Sequence, residues 1–187
     1  MDDLILVQMS GVPGAGKSTI ARALVRCRPF TVLDVDVVKS ALLDAGISYA
    51  EVGAASYRTV LALAGDLLAT SCSVIIDSPC RYDELLVGGQ RLAERHQAGY
   101  RYLECFADDL SLLDRRIQER PALRSQRPSV AASPVDAPDH GGDGTVMFRE
   151  WIHQMKRPDA GYLRLDTSRP VDVCVQEAIA FLDGGSA

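Results

Sequence analysis

The sequence predicts a three-layer α/β/α fold with a five-stranded parallel sheet, formed by residues 1–187 as a single domain. Short apolar segments alternate along the chain with longer segments of helical periodicity, a pattern typical of a parallel sheet with right-handed crossovers. A glycine-rich segment joins the first apolar segment to the first helical one, and two of the following apolar segments end in aspartate. A length of 187 residues is sufficient for one domain with a single core.

The glycine-rich segment 11–19 (GVPGAGKST) matches the pattern G-x-x-x-x-G-K-[ST] at every fixed position. An apolar strand at 4–7 precedes it and a helical segment at 18–25 follows, so free backbone N–H groups at a helix N-terminus converge on one point, where an anion binds. We therefore predict a nucleoside triphosphate site. The predicted nucleotide-binding residues are Gly11, Pro13, Gly14, Ala15, Gly16, Lys17, Ser18 and Thr19, with Lys17 on the β/γ-phosphates and Ser18 on Mg²⁺.

The composition of the chain argues against several classes of binding partner. The formal net charge of −5 argues against a nucleic-acid groove. No apolar run approaches the roughly 20 residues of a membrane span, and no basic segment precedes the first strand, so we expect no signal peptide, no membrane partner and a cytoplasmic location. The five cysteines are odd in number and form no C-x-x-C pair, which predicts reduced, mostly buried thiols.

Acidic residues follow the second and third predicted strands. Asp34 and Asp36 come at the carboxyl end of the strand at 31–34, and Asp77 ends the apolar strand 73–77 in the manner of a Walker-B segment. Ligands bind at the carboxyl ends of parallel strands, so these carboxylates are candidates to hold Mg²⁺ or to polarise a nucleophile. The alternative is that each aspartate only caps the helix that follows it.

The remaining elements are predicted from their periodicity and from cap residues. Asp108 is expected to cap the helix after the fourth strand, and Gly46 to end the helix after the second. Further strands are predicted near 3–9, 101–106 and 162–166, and helices at 37–45, 56–69, 82–97, 108–119, 146–155 and 171–182.

The segment 121–145 has no period and is rich in Pro, Ala, Ser, Asp and Gly. One interpretation is a solvated basic helix face followed by a flexible linker. The other is a lid, at about 115–145, whose arginines act on the transferring phosphoryl group when it closes. The arginines that lead into or lie on this segment are Arg115, Arg116, Arg120, Arg124 and Arg127.

These motifs resemble the small P-loop kinases of nucleoside-monophosphate-kinase type. The loop with Lys17 and Ser18 carries the resemblance, together with the segment 33–36 (LDVD), which looks like the D-x-D signature of shikimate kinase-like enzymes. The segments 74–79 and 164–170 look like those of predicted small-molecule kinases related to chloramphenicol phosphotransferase, zeta toxin and polynucleotide kinase.

The resemblance implies the P-loop NTPase fold with strand order 2-3-1-4-5, ATP and Mg²⁺ as cofactors, and the adenine near the turn after the last strand. It implies that Asp36 contacts the acceptor hydroxyl as general base and that Asp34 lies near the Mg²⁺ water shell. It also implies that the lid arginines are Arg116 and Arg120. The sequence lacks the substrate-binding Arg and Gly-Gly arrangement that shikimate kinase has after the third strand, and Cys80 and Arg81 follow that strand instead. This difference argues against shikimate as the acceptor.

From these roles we expect Mg²⁺ on Ser18 with help from Asp34 or Asp77, and an acceptor pocket that includes Asp36, Arg58 and Arg81. The leading hypothesis is an ATP-dependent kinase for a hydroxyl of a small molecule such as an antibiotic, a sugar or a nucleotide-sugar. The alternatives are a polynucleotide 5′-hydroxyl kinase, or a nucleotide-binding switch that hydrolyses ATP slowly. Neither the acceptor nor the oligomeric state follows from these motifs.

Overall fold

A computed structural model of the chain describes residues 4–138 and 144–184. Within those residues the chain forms five strands and seven helices in near-regular alternation. The strands are β1 (Ile5–Ser10), β2 (Phe30–Asp34), β3 (Ser73–Asp77), β4 (Gly99–Phe106) and β5 (Tyr162–Asp166). The helices are α1 (Lys17–Val25), α2 (Val35–Asp44), α3 (Tyr49–Ala69), α4 (Asp83–Arg95), α5 (Leu110–Glu119), α6 (Gly144–His153) and α7 (Val171–Leu182).

The five strands form one parallel sheet in the order β2-β3-β1-β4-β5, so the predicted strand order is confirmed. All six residues of β1 are buried, as expected for a central strand that is covered on both faces. At the carboxyl edge, Asp34 of β2 is paired in register with Asp77 of β3. The sheet therefore brings two of the three predicted acidic residues together on neighbouring strands.

Helices cover the two faces of the sheet and enclose two main apolar clusters. Alternate residues of β1 point to opposite faces, so Val7 packs in the cluster beneath α1 and α7, whereas Leu6 packs in the cluster beneath α3. The first cluster includes Ile20, Leu24, Leu165 and Phe181, and the second includes Val60, Ala64, Leu68, Val74 and Ile76. This packing holds the loop after β1 rigidly between the sheet and α1.

Three predicted helix starts were wrong in ways that matter for the site. Helix α3 begins at Tyr49 and not at residue 56, so the acceptor side is lined by an additional part of this helix. Helix α2 begins at Val35, two residues before the predicted start, because the Asp34 carboxylate accepts a hydrogen bond from the Asp36 backbone N–H at 2.9 Å. Asp36 consequently lies in the first turn of α2 and not at the end of the strand. Helix α5 is capped by Asp109, which accepts from the Ser111 N–H at 2.8 Å, and not by Asp108.

The cysteines agree with the prediction of reduced thiols. All five are free, and Cys80, Cys105 and Cys174 are buried. In the part of the chain that the structure describes, no helix is both long and apolar enough to span a membrane.

Candidate active site

The loop between β1 and α1 has backbone conformations that demand glycine. Gly11 has φ +131°, and a Cβ there would lie 2.2 Å from the Cys105 carbonyl oxygen. Gly14 has φ +81°, and a Cβ there would lie 2.6 Å from the carbonyl oxygen of Leu113. Side chains are excluded at both positions, so the loop backbone packs directly against the ends of β4 and α5.

Lys17 opens α1, and its Nζ donates to the carbonyl oxygens of Gly11 at 2.8 Å and Val12 at 3.2 Å. The ammonium group thus lies over the loop, where the N-terminus of α1 adds its own positive potential. Both features favour a polyphosphate at this point.

The turn after β5 supports the loop from the other side. The Thr167 hydroxyl is 2.9 Å from the Ala15 carbonyl oxygen and 3.0 Å from that of Phe106, and the residue is 6% exposed. The Arg116 guanidinium donates to the Thr167 hydroxyl and carbonyl oxygens at 3.2 and 2.7 Å, and to the Gly14 carbonyl oxygen at 3.4 Å. A network from α5 and the β5–α7 turn therefore holds the phosphate loop in place.

A cavity of about 630 Å³ lies along this network. Loop residues and the start of α1 line one end, and Arg116, Thr167, Arg169 and Cys174 line the other. Such a volume accommodates a nucleotide. We refer to it as the nucleotide cavity.

Asp77 and Asp34 are close to the loop and in poorly solvated positions. Asp77 is 3% exposed, and its Oδ2 has no hydrogen-bond partner among the described residues. Burial raises the pKa of Asp77, against the opposing effects of Lys17 and of a hydrogen bond from Ser18. Burial, with the nearby charges of Asp77 and Asp36, raises the pKa of Asp34 to about 6. A divalent cation would relieve the energetic cost of ionising both groups.

These donors fit Mg²⁺ in the way that nucleotide-dependent enzymes hold it. The Ser18 hydroxyl and the Asp77 carboxylate lie together, and the unpartnered Oδ2 of Asp77 has a free coordination position. Among the described residues, no three His, Cys, Asp or Glu side chains form a metal-binding group. A cation here would consequently be held by one or two side chains, water and phosphate oxygens, which suits Mg²⁺.

Asp36 lies in the first turn of α2, in contact with the segment that follows α5. Its Oδ2 accepts a hydrogen bond from the Gln126 side-chain amide at 2.8 Å, and its carbonyl oxygen accepts one from the Ser125 hydroxyl at 3.0 Å. The Ser125 backbone N–H also donates a hydrogen bond to the Ser40 hydroxyl oxygen at 3.1 Å. The segment after α5 thus fixes the orientation of the Asp36 carboxylate.

A second cavity, of about 370 Å³, has Asp36 in its wall. It is lined further by the aromatic side chains Tyr49, Tyr57, Tyr82 and Trp151. We refer to it as the acceptor cavity. It and the nucleotide cavity have four lining residues in common: Lys17, Ser18, Arg120 and Gln126. The two cavities therefore meet where the end of a bound polyphosphate would lie.

The predicted arginines take different positions in this arrangement. Arg116 lines only the nucleotide cavity, whereas Arg120 lies at the junction, with the Nε atom buried and without a hydrogen-bond partner among the described residues. Burial lowers the pKa of Arg120, and the charge of Asp36 is the largest of the effects that oppose it. Arg81 lines the acceptor cavity as predicted, but Arg58 is exposed on α3 and is not among the lining residues. The structure does not bring Arg58 into the site.

The described part of the predicted lid packs on the body of the protein. Arg124 forms ion pairs with Asp44 at 3.0 Å and with Asp136 at 2.7 Å, and donates to the Leu43 carbonyl oxygen. Residues 121–138 thus lie across α2 and supply part of the wall of both cavities. Residues 139–143 of the predicted lid lie outside the described residues.

Sequence reasoning missed two site residues, Gln126 and Thr167, and named Arg127 only as one of the arginines of the aperiodic segment. Gln126 and Arg127 lie in the aperiodic segment, where no pattern identifies a particular side chain. Thr167 follows β5 directly, and its position after a strand end was a signal that could have marked it.

Residues 6–137 match the model of a family described as an AAA domain. The chain belongs to that family. The match covers the phosphate loop, the three site aspartates and the first half of the segment after α5. No curated protein matches the chain.

Solved structures share the fold of this AAA-domain protein over nearly its whole length. The APS kinase of Mycobacterium tuberculosis, in complex with AMPPNP and APS, has a TM-score of 0.65 at 18% identity and covers 97% of this chain and 98% of its own. A protein assigned as a kinase in Chloroflexus aurantiacus has a TM-score of 0.75 at 22% identity, with coverage of 96% and 99%. A gluconokinase of Sinorhizobium meliloti has a TM-score of 0.59 at 18% identity, with coverage of 97% and 92%. The resemblance to small P-loop kinases is confirmed at the level of the fold.

Proposed function

We propose that this protein is an ATP-dependent kinase that transfers the γ-phosphate to a hydroxyl group of a small molecule. The observation that carries the proposal is the meeting of two cavities at Lys17, Ser18 and Arg120. Phosphoryl transfer requires a donor and an acceptor held in line with a shared electropositive point between them. A nucleotide-binding switch needs only the first cavity. The second, with an oriented carboxylate in its wall, favours transfer.

The nucleotide cavity supplies the donor side. The loop N–H groups and Lys17 bind the β- and γ-phosphates, and Arg116 and Thr167 hold the loop against movement. Ser18, Asp77 and Asp34 would hold Mg²⁺, which when bound neutralises phosphate charge. The same fold binds AMPPNP in the M. tuberculosis APS kinase, which supports ATP as the donor.

The acceptor cavity supplies the groups that act on the acceptor hydroxyl. Asp36 accepts a hydrogen bond at one carboxylate oxygen from Gln126, which leaves the other oxygen to orient the acceptor hydroxyl and take its proton as transfer proceeds. Arg120 lies at the junction with its Nε free of any partner among the described residues. We assign it to the oxygens of the transferring group, where charge must be stabilised. Arg116 has its own partners at Thr167 and contributes to nucleotide binding.

The size of the acceptor cavity supports a small-molecule acceptor. About 370 Å³ is in the range of pockets for small ligands. A cavity of this size suits a small molecule better than a polynucleotide, which needs an extended basic groove along its backbone. We propose that residues 121–138 form the cover over this acceptor.

The experiment is ADP release from Mg-ATP across a panel of hydroxylated compounds, with Lys17→Ala and Asp36→Asn alongside. We expect a compound that stimulates release by the wild type and by neither variant. Asp36→Asn preserves the side-chain shape, so the rate should fall by about 10²–10⁴-fold while the affinity for an ATP analogue is unchanged. ADP release that no compound stimulates and that Asp36→Asn leaves unaltered would instead favour the switch.

A further inference from the structure

The wall of the acceptor cavity contains a buried arginine that forms no ion pair among the described residues. Arg127 is 3% exposed, and both of its terminal guanidinium nitrogens lack a hydrogen-bond partner among the described residues. Only its Nε is satisfied, by the Ala132 carbonyl oxygen at 3.1 Å. Buried guanidinium groups are ordinarily paired, because an unpaired charge is costly to desolvate. Such a group in a cavity wall indicates a missing ligand.

A second arginine lies beside it on the same aromatic ring. The Arg81 guanidinium carbon is 4.0 Å from the centre of the Trp151 ring, and that of Arg127 is 4.8 Å from it. Among the described residues, no hydrogen bond or ion pair holds Arg81. Contact with the ring restricts the orientation of both guanidinium groups, and both residues line the cavity.

The charges around the cavity are unbalanced. The described lining residues include five basic side chains, Lys17, Lys39, Arg81, Arg120 and Arg127, against two acidic ones, Asp36 and Asp77. The charges of both acids act on Arg120, which lies at the junction with the nucleotide cavity. Burial, and after it the charge of Arg81, lowers the pKa of Arg127. The charge of Asp114 acts in the opposite direction, but Asp114 accepts a hydrogen bond from the Val130 N–H and does not line the cavity. The described residues of the cavity wall therefore provide no ion-pair partner for Arg127 or Arg81.

We propose that the acceptor is an anionic hydroxylated small molecule whose carboxylate or phosphate group is bound by Arg127 and Arg81, with its hydroxyl group at Asp36. The inference rests on the proposed function for the hydroxyl end. The anion-binding end stands on the unpaired guanidinium groups. Two planar donors beside one another match the paired oxygens of either anion.

The first test uses Trp151, the only tryptophan of the sequence, as a fluorescent reporter in contact with both arginines. Wild-type protein with Mg²⁺ and saturating AMPPNP, which occupies the phosphate loop, is titrated with inorganic phosphate and with acetate at constant ionic strength in chloride. We expect a saturable change in fluorescence. Arg127→Met should weaken it by about 10- to 100-fold, and Arg58→Met, an arginine outside the cavity, should not.

Arg81→Met and Arg127→Lys keep the test decisive if Arg127→Met does not fold. We expect a several-fold loss in Arg81→Met and an intermediate affinity in Arg127→Lys, which keeps the charge without the fork of donors. Wild-type affinity in both variants would overturn the inference. So would a wild-type fluorescence that neither anion changes up to tens of millimolar.

The second test compares matched acceptors in ADP release: sugar acids and sugar phosphates against the corresponding neutral sugars. Stimulation by one anionic class, and not by its neutral partners, identifies carboxylate or phosphate as the group bound. Equal stimulation by the neutral partners, unaffected by Arg127→Met, would sink the inference and leave the kinase proposal intact. Anion binding through Arg127 without any stimulated ADP release would contradict the kinase proposal and leave the anion site supported.

Discussion

Arg127→Met is expected to increase the stability of the free protein while it removes the proposed anion site. Arg127 is almost fully buried, yet its two terminal nitrogens have no hydrogen-bond partner among the described residues. A side chain selected for stability would not leave two donors unpaired. A side chain selected to bind an anion must keep its donors free for that anion, and binding sites commonly reduce stability for this reason.

The size of the expected change in the free energy of unfolding follows from the contacts that the substitution removes and adds. Each buried unpaired donor costs about 1–3 kcal/mol, so two cost about 2–6 kcal/mol. Methionine loses the hydrogen bond to Ala132, worth about 1 kcal/mol. It also loses the contacts of the cation with the Phe148 and Trp151 rings, at 5.2 and 4.8 Å, worth about 0.5–2 kcal/mol each. Contacts of the thioether with the same rings return about 0.3–1.5 kcal/mol. The central values give a net gain of about 1–2 kcal/mol.

Urea denaturation and thermal melting without nucleotide measure this change. The expected gain raises the midpoint by a few degrees, since 1 kcal/mol corresponds to roughly 2–4 °C in a protein of this size. Arg58→Met is the matched control, because Arg58 is exposed on α3 and should shift stability by no more than about 0.5 kcal/mol. A loss of more than about 2 kcal/mol in Arg127→Met would refute the reasoning, because it would show that Arg127 is a structural residue.

Two further predictions concern the nucleotide side. Gly14→Ala should abolish binding of a fluorescent ATP analogue while the protein still folds. The new Cβ would lie 2.6 Å from the Leu113 carbonyl oxygen, at a residue whose φ is +81°. An affinity within about threefold of wild type would contradict this prediction. Thr167→Val keeps the side-chain shape but loses the hydroxyl that contacts the Ala15 and Phe106 carbonyl oxygens. It should weaken ATP-analogue binding by about 5- to 15-fold, equivalent to one or two hydrogen bonds, and leave phosphate binding at Trp151 unchanged. Equal losses at both sites would instead indicate a general loss of structure.

The fold could be predicted in detail because each element has a local signal. Apolar runs such as 73–77 are too short for helices and end in polar residues, and the glycine-rich loop sets the direction of the chain between β1 and α1. The strand order came from resemblance to a family and not from periodicity, which does not specify neighbours in a sheet. The start of α2 was missed because capping by Asp34 depends on which backbone N–H its carboxylate reaches.

The donor side of the site could be predicted because its residues are adjacent in sequence. Backbone N–H groups bind phosphate, so the pattern of residues 11–19 describes the geometry directly. The acceptor side has no such pattern. Its wall combines Asp36 of α2, Arg81 after β3, Arg127 before α6 and Trp151 within α6. Only the folded chain brings these four residues together. Arg58 was an equally plausible acceptor-site residue from the sequence, but it is exposed on α3.

The same contrast explains why the net charge does not predict the charge of the acceptor that we propose. A formal charge of −5 describes the whole surface, but a ligand responds to the field within the cavity that encloses it. Basic side chains outnumber acidic ones there by five to two among the described residues. The charges of the two acids act on Arg120, at the junction of the two cavities. An acidic protein can thus select an anionic acceptor, because low solvent access strengthens the local charges and screening weakens the distant ones.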